Sequence, residues 1–495
     1  MEATSKVFKP SKYQQAVYDF LSNGKGNAVI DAVAGSGKSS TIVQALKLIS
    51  MQFSVLFLAF NKSIVDELKI KIGEQKNVEI RTLHSLGASA VMKSFKCTID
   101  NNKYRSYINQ TLNTQGIDPD DVTEYKSKIF KLVDLARVSL CKSVSDLEAI
   151  AEKHNVFCFD DECNKAMEYV AWGVSDNGMG TIDFTDMIYV PNVKKIRMPV
   201  FDYVFIDECQ DLNTAQREMF LKCLSQPNGR FISVGDPRQA IYGFSGADVE
   251  SFEVLKNLPN TITLPLSVCY RCDEDIINIA KEIVPQIEAR DKAPKGKVDH
   301  EAKVEMIQDN DMVLCRVTAP LVDLCMKYIS KGVKAYVKGK DIGANLINMI
   351  TKTKRRNIED VIEKLEDELD KIVRKVVRKT HCSESEARTT DAFTSYKDKI
   401  NAIIILSEGL RTSNEVISRI ETIFKDDQKI GICLSTIHKA KGLEADNVYI
   451  ICKDKFYLKQ CMKVEWMAEQ EHNLVYVAYT RAKHYLGFVV DFKCD

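Results

Sequence analysis

Eight consecutive residues, Ala32-Val33-Ala34-Gly35-Ser36-Gly37-Lys38-Ser39, have the types and spacing to bind phosphate. They follow an apolar run and open a helical pattern. Small residues there let backbone N–H groups wrap phosphate oxygens. Lys38 suits the β- and γ-phosphates, and the Ser39 hydroxyl suits Mg²⁺. This is a phosphate loop with Ala32 at the first glycine position, its cradle running from Ala34 to Ser39 with Ser40 next. A second constellation, Val204-Phe205-Ile206-Asp207-Glu208, is an apolar strand ending in two carboxylates. Asp207 would hold Mg²⁺ beside Ser39, and Glu208 would orient and deprotonate an attacking water. The chemistry is hydrolytic phosphoryl transfer, with Lys38, Asp207 and Glu208 as its catalytic groups.

The elements that must carry these residues read as strands alternating with helices. Apolar β-rich runs recur at 27–31, 54–59, 78–82, 203–207, 230–235, 312–317, 430–436, 447–451 and 484–490. Helical patterns follow at 39–49 and 62–72. Alternation of this kind predicts parallel sheets in α/β layers, and the strands are too many for one sheet. The fold class is therefore α/β with two cores. Two stretches, 91–180 and 351–425, are mainly helical and read as insertions into those cores. In the second, Ile358, Val361, Ile362, Leu365, Leu369, Ile372, Val373 and Val376 recur at helical spacing, which predicts a long amphipathic helix. The expected organisation is a first core at 1–90 and 181–257 around a helical insertion at 91–180. A second core follows at 258–350 and 426–495 around a short helical insertion at 351–425.

Lys+Arg and Asp+Glu both number 69, so the formal net charge is zero. That excludes a wholesale basic, histone-like protein but leaves room for a local nucleic-acid groove. The 15 cysteines are odd in number and scattered, unlike a secreted disulfide framework. The polar start, Met1 to Lys6, predicts no signal peptide. Aliphatic runs such as Ile403 to Leu406 are too short to span a membrane. These features predict an intracellular, reducing location, cytoplasmic or nuclear, and neither secretion nor a membrane anchor.

Asp207-Glu208-Cys209-Gln210-Asp211 resembles the Walker B motif of UvrD/Rep-type superfamily 1 DNA helicases, and the remaining motifs of that family follow in order. Tyr13-Gln14-Gln15 resembles its Gln motif, Ala59-Phe60-Asn61-Lys62 motif Ia, and Thr82-Leu83-His84-Ser85 motif Ib. Asp183-Phe184-Thr185-Asp186-Met187 resembles an element that precedes Walker B. The segment from Val234 to Ala247 resembles motif III, Tyr270-Arg271 motif IV, Thr436 to Glu444 motif V, and Asn473 to Lys483 motif VI. Motifs Ia and VI resemble the F-box DNA helicase branch, with no F-box evident.

The resemblance implies two RecA-like P-loop cores with ATP between them, each with an inserted helical subdomain. It implies that Gln14 reads adenine, with Gln15 the neighbour one register away, that Tyr270 stacks on the base and that Glu444 bonds the ribose. Ser40 stands where the family often has arginine, which implies that one face of the adenine site is weaker or supplied elsewhere. Gln239 is implied to sense the γ-phosphate, and Arg271 and Arg481 to be arginine fingers. Phe60, Tyr242 and Phe244 would stack on bases, and Asn61, His84, Thr436 and His438 would bond the sugar-phosphate backbone. Phe244-Ser245 replaces the family's Trp-Arg, which keeps a ring and loses a cation.

The implied activity is an ATP- and Mg²⁺-dependent DNA helicase or translocase on single-stranded DNA, moving 3′→5′, with RNA as a further possible substrate. Such a motor serves DNA replication or repair, works as a monomer and can take a protein loading partner. Two alternatives stand beside it: a translocase that strips proteins with little unwinding, and an ATP-switched clamp. The spacings Cys269–Cys272 and His154–Cys158–Cys163 read as an ordinary turn and helix surface rather than metal sites.

Overall fold

The structure is a computed structural model. It describes residues 9–73, 75–115, 122–154, 156–241, 250–426, 430–458, 462 and 465–493 and, for 379 and 391, the backbone alone. The chain divides into two compact units, one of Met1–Val33 and Gly37–Ser267, the other of Ala34–Ser36 and Val268–Asp495.

In the first unit the strands are β1 (Asn27–Ala32), β2 (Val55–Ala59), β3 (Val78–Thr82), β4 (Thr98–Ile99), β5 (Thr181–Ile182), β6 (Tyr203–Ile206), β7 (Arg230–Gly235) and β8 (Thr261–Leu266). Six of them form a parallel sheet of order β3-β2-β6-β7-β1-β8. Strands inside a parallel sheet are covered on both faces, so they read as unbroken apolar runs. All five residues of β2 and all four of β6 are buried accordingly. The edge strand β3, Val-Glu-Ile-Arg-Thr, is only partly buried. The boundary expected at 257 falls short of β8. This strand pairs with β1 from Asn27↔Thr261 to Ala32↔Leu266, so the first sheet keeps the chain until Leu266.

The helices Lys103–Thr111, Val122–Val138, Val144–Lys153 and Asp160–Gly173 enclose their own apolar core of Ile108, Leu132, Val133, Leu147, Ala166 and Val170. The short parallel β4–β5 ladder joins the chain just before these helices to the chain just after them. A buried ionic cluster ties these helices to the segment after β5. Lys103 Nζ donates to Asp186 at 2.6 Å and to the Gly173 carbonyl at 2.7 Å. Arg137 donates to Asp183 at 2.8 Å and to Asp186 at 3.0 Å.

In the second unit the strands are β9 (Val268–Cys269), β10 (Glu288–Ala289), β11 (Lys297–Ala302), β12 (Met312–Cys315), β13 (Ala335–Val337), β14 (Ile432–Thr436), β15 (Ala445–Ile450) and β16 (Ala482–Val489). Six form a second parallel sheet, β11-β16-β15-β12-β14-β13. The amphipathic pattern from Ile358 becomes one helix, Ile358–Thr380. It buries Ile358, Val361 and Leu365 in the same core as Val313, Leu324 and Leu434 of the sheet layer. The helix Asp391–Ser407 joins that core through Ile400, Ile403 and Leu406. Its Asp398 accepts the N–H groups of Thr318 and Ala319, both at 2.9 Å, where the helix Ala319–Ser330 begins. Among the described residues no helix is long and apolar enough to cross a membrane.

Candidate functional site

Parallel strands point their carboxyl ends to one edge, where loops gather chemical groups. In the first sheet, β6, β7 and β1 are neighbours. The paired carboxylates therefore leave one strand away from the segment after β7 and two from the phosphate loop after β1. In that loop Gly35 and Gly37 have φ of +66° and +76°, a left-handed backbone that glycine adopts without strain. Gly37 precedes the helix Lys38–Leu46, whose first N–H groups are available to an anion. Ser36 Oγ is buried with no hydrogen-bond partner among the described residues. An inward hydroxyl without a partner suits a phosphate oxygen.

Lys38 Nζ lies 3.0 Å from Glu208 Oε1. Burial disfavours the ammonium, but the carboxylates of Glu208, Asp207 and Asp236 outweigh it and hold Lys38 above its usual pKa. Burial and the neighbouring Glu208 push Asp207 up to about 7, against the pull of Lys38. With Asp236 paired to Arg238, Asp207 and Glu208 share the one ammonium, an excess of negative charge that a hard divalent cation would relieve. The oxygens of Ser39 and Asp207 are donors of the kind Mg²⁺ takes, so the residues fit the ion. Glu208 itself has φ +53° and ψ +43°, a left-handed conformation uncommon outside glycine and frequent at functional sites.

Around this centre the structure shows a polar network that the sequence reading did not assign. Gln210 Nε2 donates to Glu208 Oε2 at 2.6 Å, and Gln210 Oε1 accepts the Asp236 N–H at 3.1 Å. Gln239 Nε2 donates to Asp236 Oδ2 at 2.7 Å. Arg238 bridges Asp236 Oδ1 at 3.0 Å, Asp31 at 2.7 Å and the Ala32 carbonyl at 3.0 Å. Gln14 is buried, and its Nε2 donates to Thr41 on the phosphate-loop helix at 3.1 Å. Gln15 instead donates to Asp19 on the exposed face of its own helix. Ser40 is exposed.

The expected nucleic-acid residues of this unit follow β2 and β3, at the other end of the same edge. Phe60 is 52% exposed. Asn61 accepts the Ile64 N–H at 3.0 Å and so caps the helix Lys62–Ile72. His84 stacks on Phe184 with ring centroids 3.7 Å apart and planes 17° apart. Burial lowers the His84 pKa to about 4, so the ring is neutral at physiological pH. Phe184, 56% exposed, was missed as a contact candidate. Its signal was an exposed aromatic between two aspartates that turn inward. Tyr242 and Phe244 lie outside the described residues.

In the second unit Tyr270 is 38% exposed beyond β9. Arg271 Nε donates to Glu444 Oε2 at 2.7 Å, and its other arm donates to the Thr480 carbonyl at 3.1 Å. Lys483 Nζ lies 3.1 Å from Glu444 Oε1. Partial burial acts against the Glu444 charge, but Arg271 and Lys483 outweigh it and hold its carboxyl below the usual range. Arg481 is 1% exposed and donates to the carbonyls of Val477 at 2.9 Å and Leu443 at 3.0 Å. The guanidinium implied to be an arginine finger is thus held by one carbonyl that precedes β15 and one in the helix that precedes β16. Thr436 is likewise buried, and its hydroxyl caps the short helix Ile437–Ala440 through the Lys439 N–H. Burial, with the charges of Arg316 and Lys439, lowers the His438 pKa to about 3. Glu444 and Arg481 precede adjoining strands, since Ala445 pairs with Ala482, whereas Thr436 and His438 lie at the opposite edge, after β14.

A glycine loop after β1 and paired carboxylates after β6 of a parallel sheet define a P-loop protein, here with a second α/β unit. Residues 13–260, half of the chain, match the UvrD/REP helicase N-terminal domain, and residues 431–489 match the UvrD-like helicase C-terminal domain. The chain belongs to the UvrD/Rep helicase family. It is 26% identical over 301 residues to the ATP-dependent DNA helicase PcrA of Staphylococcus aureus, covering 55% of this chain and 39% of that protein. Similarity to the ATP-dependent DNA helicase Rep of Buchnera aphidicola is 23% over 282 residues, 52% of this chain and 42% of that protein. A DNA helicase II homologue of Mycoplasma pneumoniae is 24% identical over 591 residues, 94% of this chain and 82% of the relative. The match thus spans about two fifths of the length of the PcrA and Rep relatives.

Proposed function

We propose that this chain is an ATP-dependent motor on single-stranded DNA, coupling hydrolysis to 3′→5′ movement and strand separation. The observation that carries the reading is the Glu208 carboxylate, held between Lys38 at 3.0 Å and Gln210 at 2.6 Å at the mouth of a phosphate loop. A mere clamp has no need of a positioned base. In this reading the N–H groups of Ala34 to Ser39 and the Lys38 ammonium bind the phosphates. Ser39 and Asp207 hold Mg²⁺, which neutralises phosphate charge. Glu208 takes the proton of the attacking water, and Gln239 senses the γ-phosphate. Gln14, Tyr270 and Glu444 are the proposed nucleoside contacts, and Arg271 and Arg481 the proposed arginine fingers. A finger role requires each arginine to leave carboxylate or carbonyl partners it now holds.

Phe60, the His84–Phe184 pair, Asn61, Thr436 and His438 are the proposed DNA track, reading no sequence because every base offers a stacking face. The two units would alternate their grip as the nucleotide state changes, which requires a different DNA affinity in each state. A second reading, translocation with little unwinding, is favoured by one observation. The insertion after β13 packs largely into the core of its own sheet layer rather than standing as a separate body.

Steady-state ATP turnover, measured without nucleic acid, with single-stranded DNA and with single-stranded RNA, tests the proposal, with Glu208→Gln as the blank. Stimulation by DNA that Glu208→Gln abolishes is expected. DNA binding without stimulation would leave the clamp. A strand-displacement assay on a 3′-tailed duplex separates a helicase from a protein-stripping translocase.

A further inference from the structure

We infer that Gln210 is a positioning residue, which fixes the orientation of Glu208 and ties it to the segment leaving β7. The inference rests on the hydrolytic reading of Glu208 given above. Gln210 is 2% exposed, and its amide is engaged at both ends. Nε2 donates to Glu208 Oε2 at 2.6 Å, while Oε1 accepts the Asp236 N–H at 3.1 Å. The two partners settle the orientation of the amide, because a flipped amide would set donor against donor and acceptor against acceptor.

Gly235 supplies an independent observation. A Cβ built there would lie 2.4 Å from Gln210 Oε1 and 2.9 Å from Cys209 Sγ. The end of β7 thus leaves no room for a side chain while the Gln210 amide is in place.

The arrangement has a consequence for turnover. The other Glu208 oxygen rests on Lys38. A bound nucleotide draws Lys38 to its phosphates, and the Gln210 donor then keeps the carboxylate aimed. A charge-assisted hydrogen bond holds orientation better than a neutral one. Because Asp236 also accepts from Gln239 at 2.7 Å, the chain Glu208–Gln210–Asp236–Gln239 links the base to the proposed γ-phosphate sensor. Gln210 touches neither nucleotide nor water in this scheme and acts through Glu208.

The test compares Gln210→Glu, Gln210→Met, Gly235→Ala and Glu208→Gln in the full chain with Mg²⁺, ATP and oligo(dT). Gln210→Glu keeps an acceptor for the Asp236 N–H but has no donor for Glu208 and repels it. Its kcat, read well below the thermal midpoint that the buried, unpaired carboxylate lowers, should fall about ten- to a hundredfold, the loss expected for one hydrogen bond to a charge, with the KM for ATP within about twofold. Gln210→Met should lose as much turnover and also some stability. Gly235→Ala should displace the amide and lower kcat alone. The double variant Gly235→Ala/Gln210→Glu should be no slower than Gln210→Glu, since both changes break one link.

Near-parental kcat in Gln210→Glu and Gly235→Ala, with Glu208→Gln inactive, overturns the positioning role and leaves the hydrolytic reading standing. A kcat loss that vanishes at temperatures where the variants are fully folded, or one matched by a rise in KM, also overturns it. Parental turnover in Glu208→Gln, or no turnover in the parent with any nucleic acid, removes the hydrolytic reading and the positioning role together.

Discussion

Replacing Asp186 by alanine should destabilise the first unit far more than removing its cationic partner. Asp186 and Lys103 have fully buried side chains 2.6 Å apart. Asp186 also accepts from Arg137 at 3.0 Å, Tyr104 Oη at 3.1 Å and the Asp183 N–H at 3.3 Å. Asp186→Ala leaves the Lys103 ammonium facing the Gly173 carbonyl, 2.7 Å away, with its counter-charge gone. A buried charge stripped of its partner costs about 3–5 kcal/mol. Lys103→Met leaves Asp186 with Arg137, Tyr104 and a backbone N–H. The main orphan is then the Gly173 carbonyl, at about 1–3 kcal/mol. At roughly 2–4 °C per kcal/mol for a body of this size, Asp186→Ala should lower the midpoint by about 10 °C and Lys103→Met by about half that or less.

The protein carries its own reporter, because Trp172 stacks on Tyr107 at 3.6 Å and lies 5.9 Å from Lys103 Nζ. With the second tryptophan silenced as Trp466→Phe, fluorescence-detected thermal unfolding follows this unit alone. Equal losses in the two variants, or a larger loss in Lys103→Met, would refute the asymmetry on which the argument turns. So would midpoints within ~2 °C of the parent for both.

Four further outcomes are expected. Lys38→Ala should reduce ATP turnover at least a hundredfold, because it removes the cation that faces the phosphates, and nucleotide affinity should fall with it in equilibrium titration. Phe184→Ala should weaken binding of oligo(dT) roughly fivefold to a hundredfold by fluorescence anisotropy, the range for one stacked base, and Phe184→Tyr should restore it. His84 and His438, with pKa values lowered to about 4 and 3, stay neutral in the fold while the unfolded chain takes up protons below about pH 6.5. Each therefore subtracts stability as pH falls from about 6.5 towards 4, and His84→Asn or His438→Asn should lose less thermal midpoint between pH 7 and pH 5 than the parent. Gly87→Ala should unfold or strongly destabilise the first unit, because a Cβ there would lie 1.8 Å from the Met187 carbonyl oxygen, where two helices cross. Expression yield and circular dichroism read that outcome directly.

The features that were legible in the sequence are those whose parts adjoin in the chain. The phosphate loop, the two carboxylates after β6 and the apolar repeat from Ile358 each declare themselves within a few turns. What stayed hidden depends on partners that the fold brings together. Asp183 and Asp186 stood out as a family element, yet their cations, Arg137 and Lys103, lie 46 and 83 residues away. Gln210 looked like a letter of the carboxylate motif because its acceptor contact, Asp236, arrives from a neighbouring strand. Strand β8, Thr-Ile-Thr-Leu-Pro-Leu, carries a proline and is only partly buried, so it lacks the unbroken apolar run of the inner strands. As the edge strand beside β1 it has one unpaired side, where Pro265 is tolerated. Arg481, implied by its motif to be an arginine finger, is held on the carbonyls of Val477 and Leu443, partners that its motif does not name.

Strand order also places both halves of the proposed motor chemistry in one unit. Along the sheet, β3 and β2 carry the His84 and Phe60 loops, and β7 and β1 carry the Asp236 and phosphate loops. Strand β6, bearing Glu208, lies between them. Neighbouring strands sit about 5 Å apart, so Glu208 is one strand from the proposed DNA track and one from the proposed phosphate sensor. The link is hydrogen-bonded on both sides, with the Asp207 N–H donating to the Leu58 carbonyl at 3.2 Å and Gln210 accepting from Asp236 at 3.1 Å. In the proposed roles, a base pressed against Phe60 and a phosphate sensed at Gln239 would act on the same short turn. That turn is held in a left-handed backbone at Glu208, a conformation that non-glycine residues keep only where the surrounding structure enforces it.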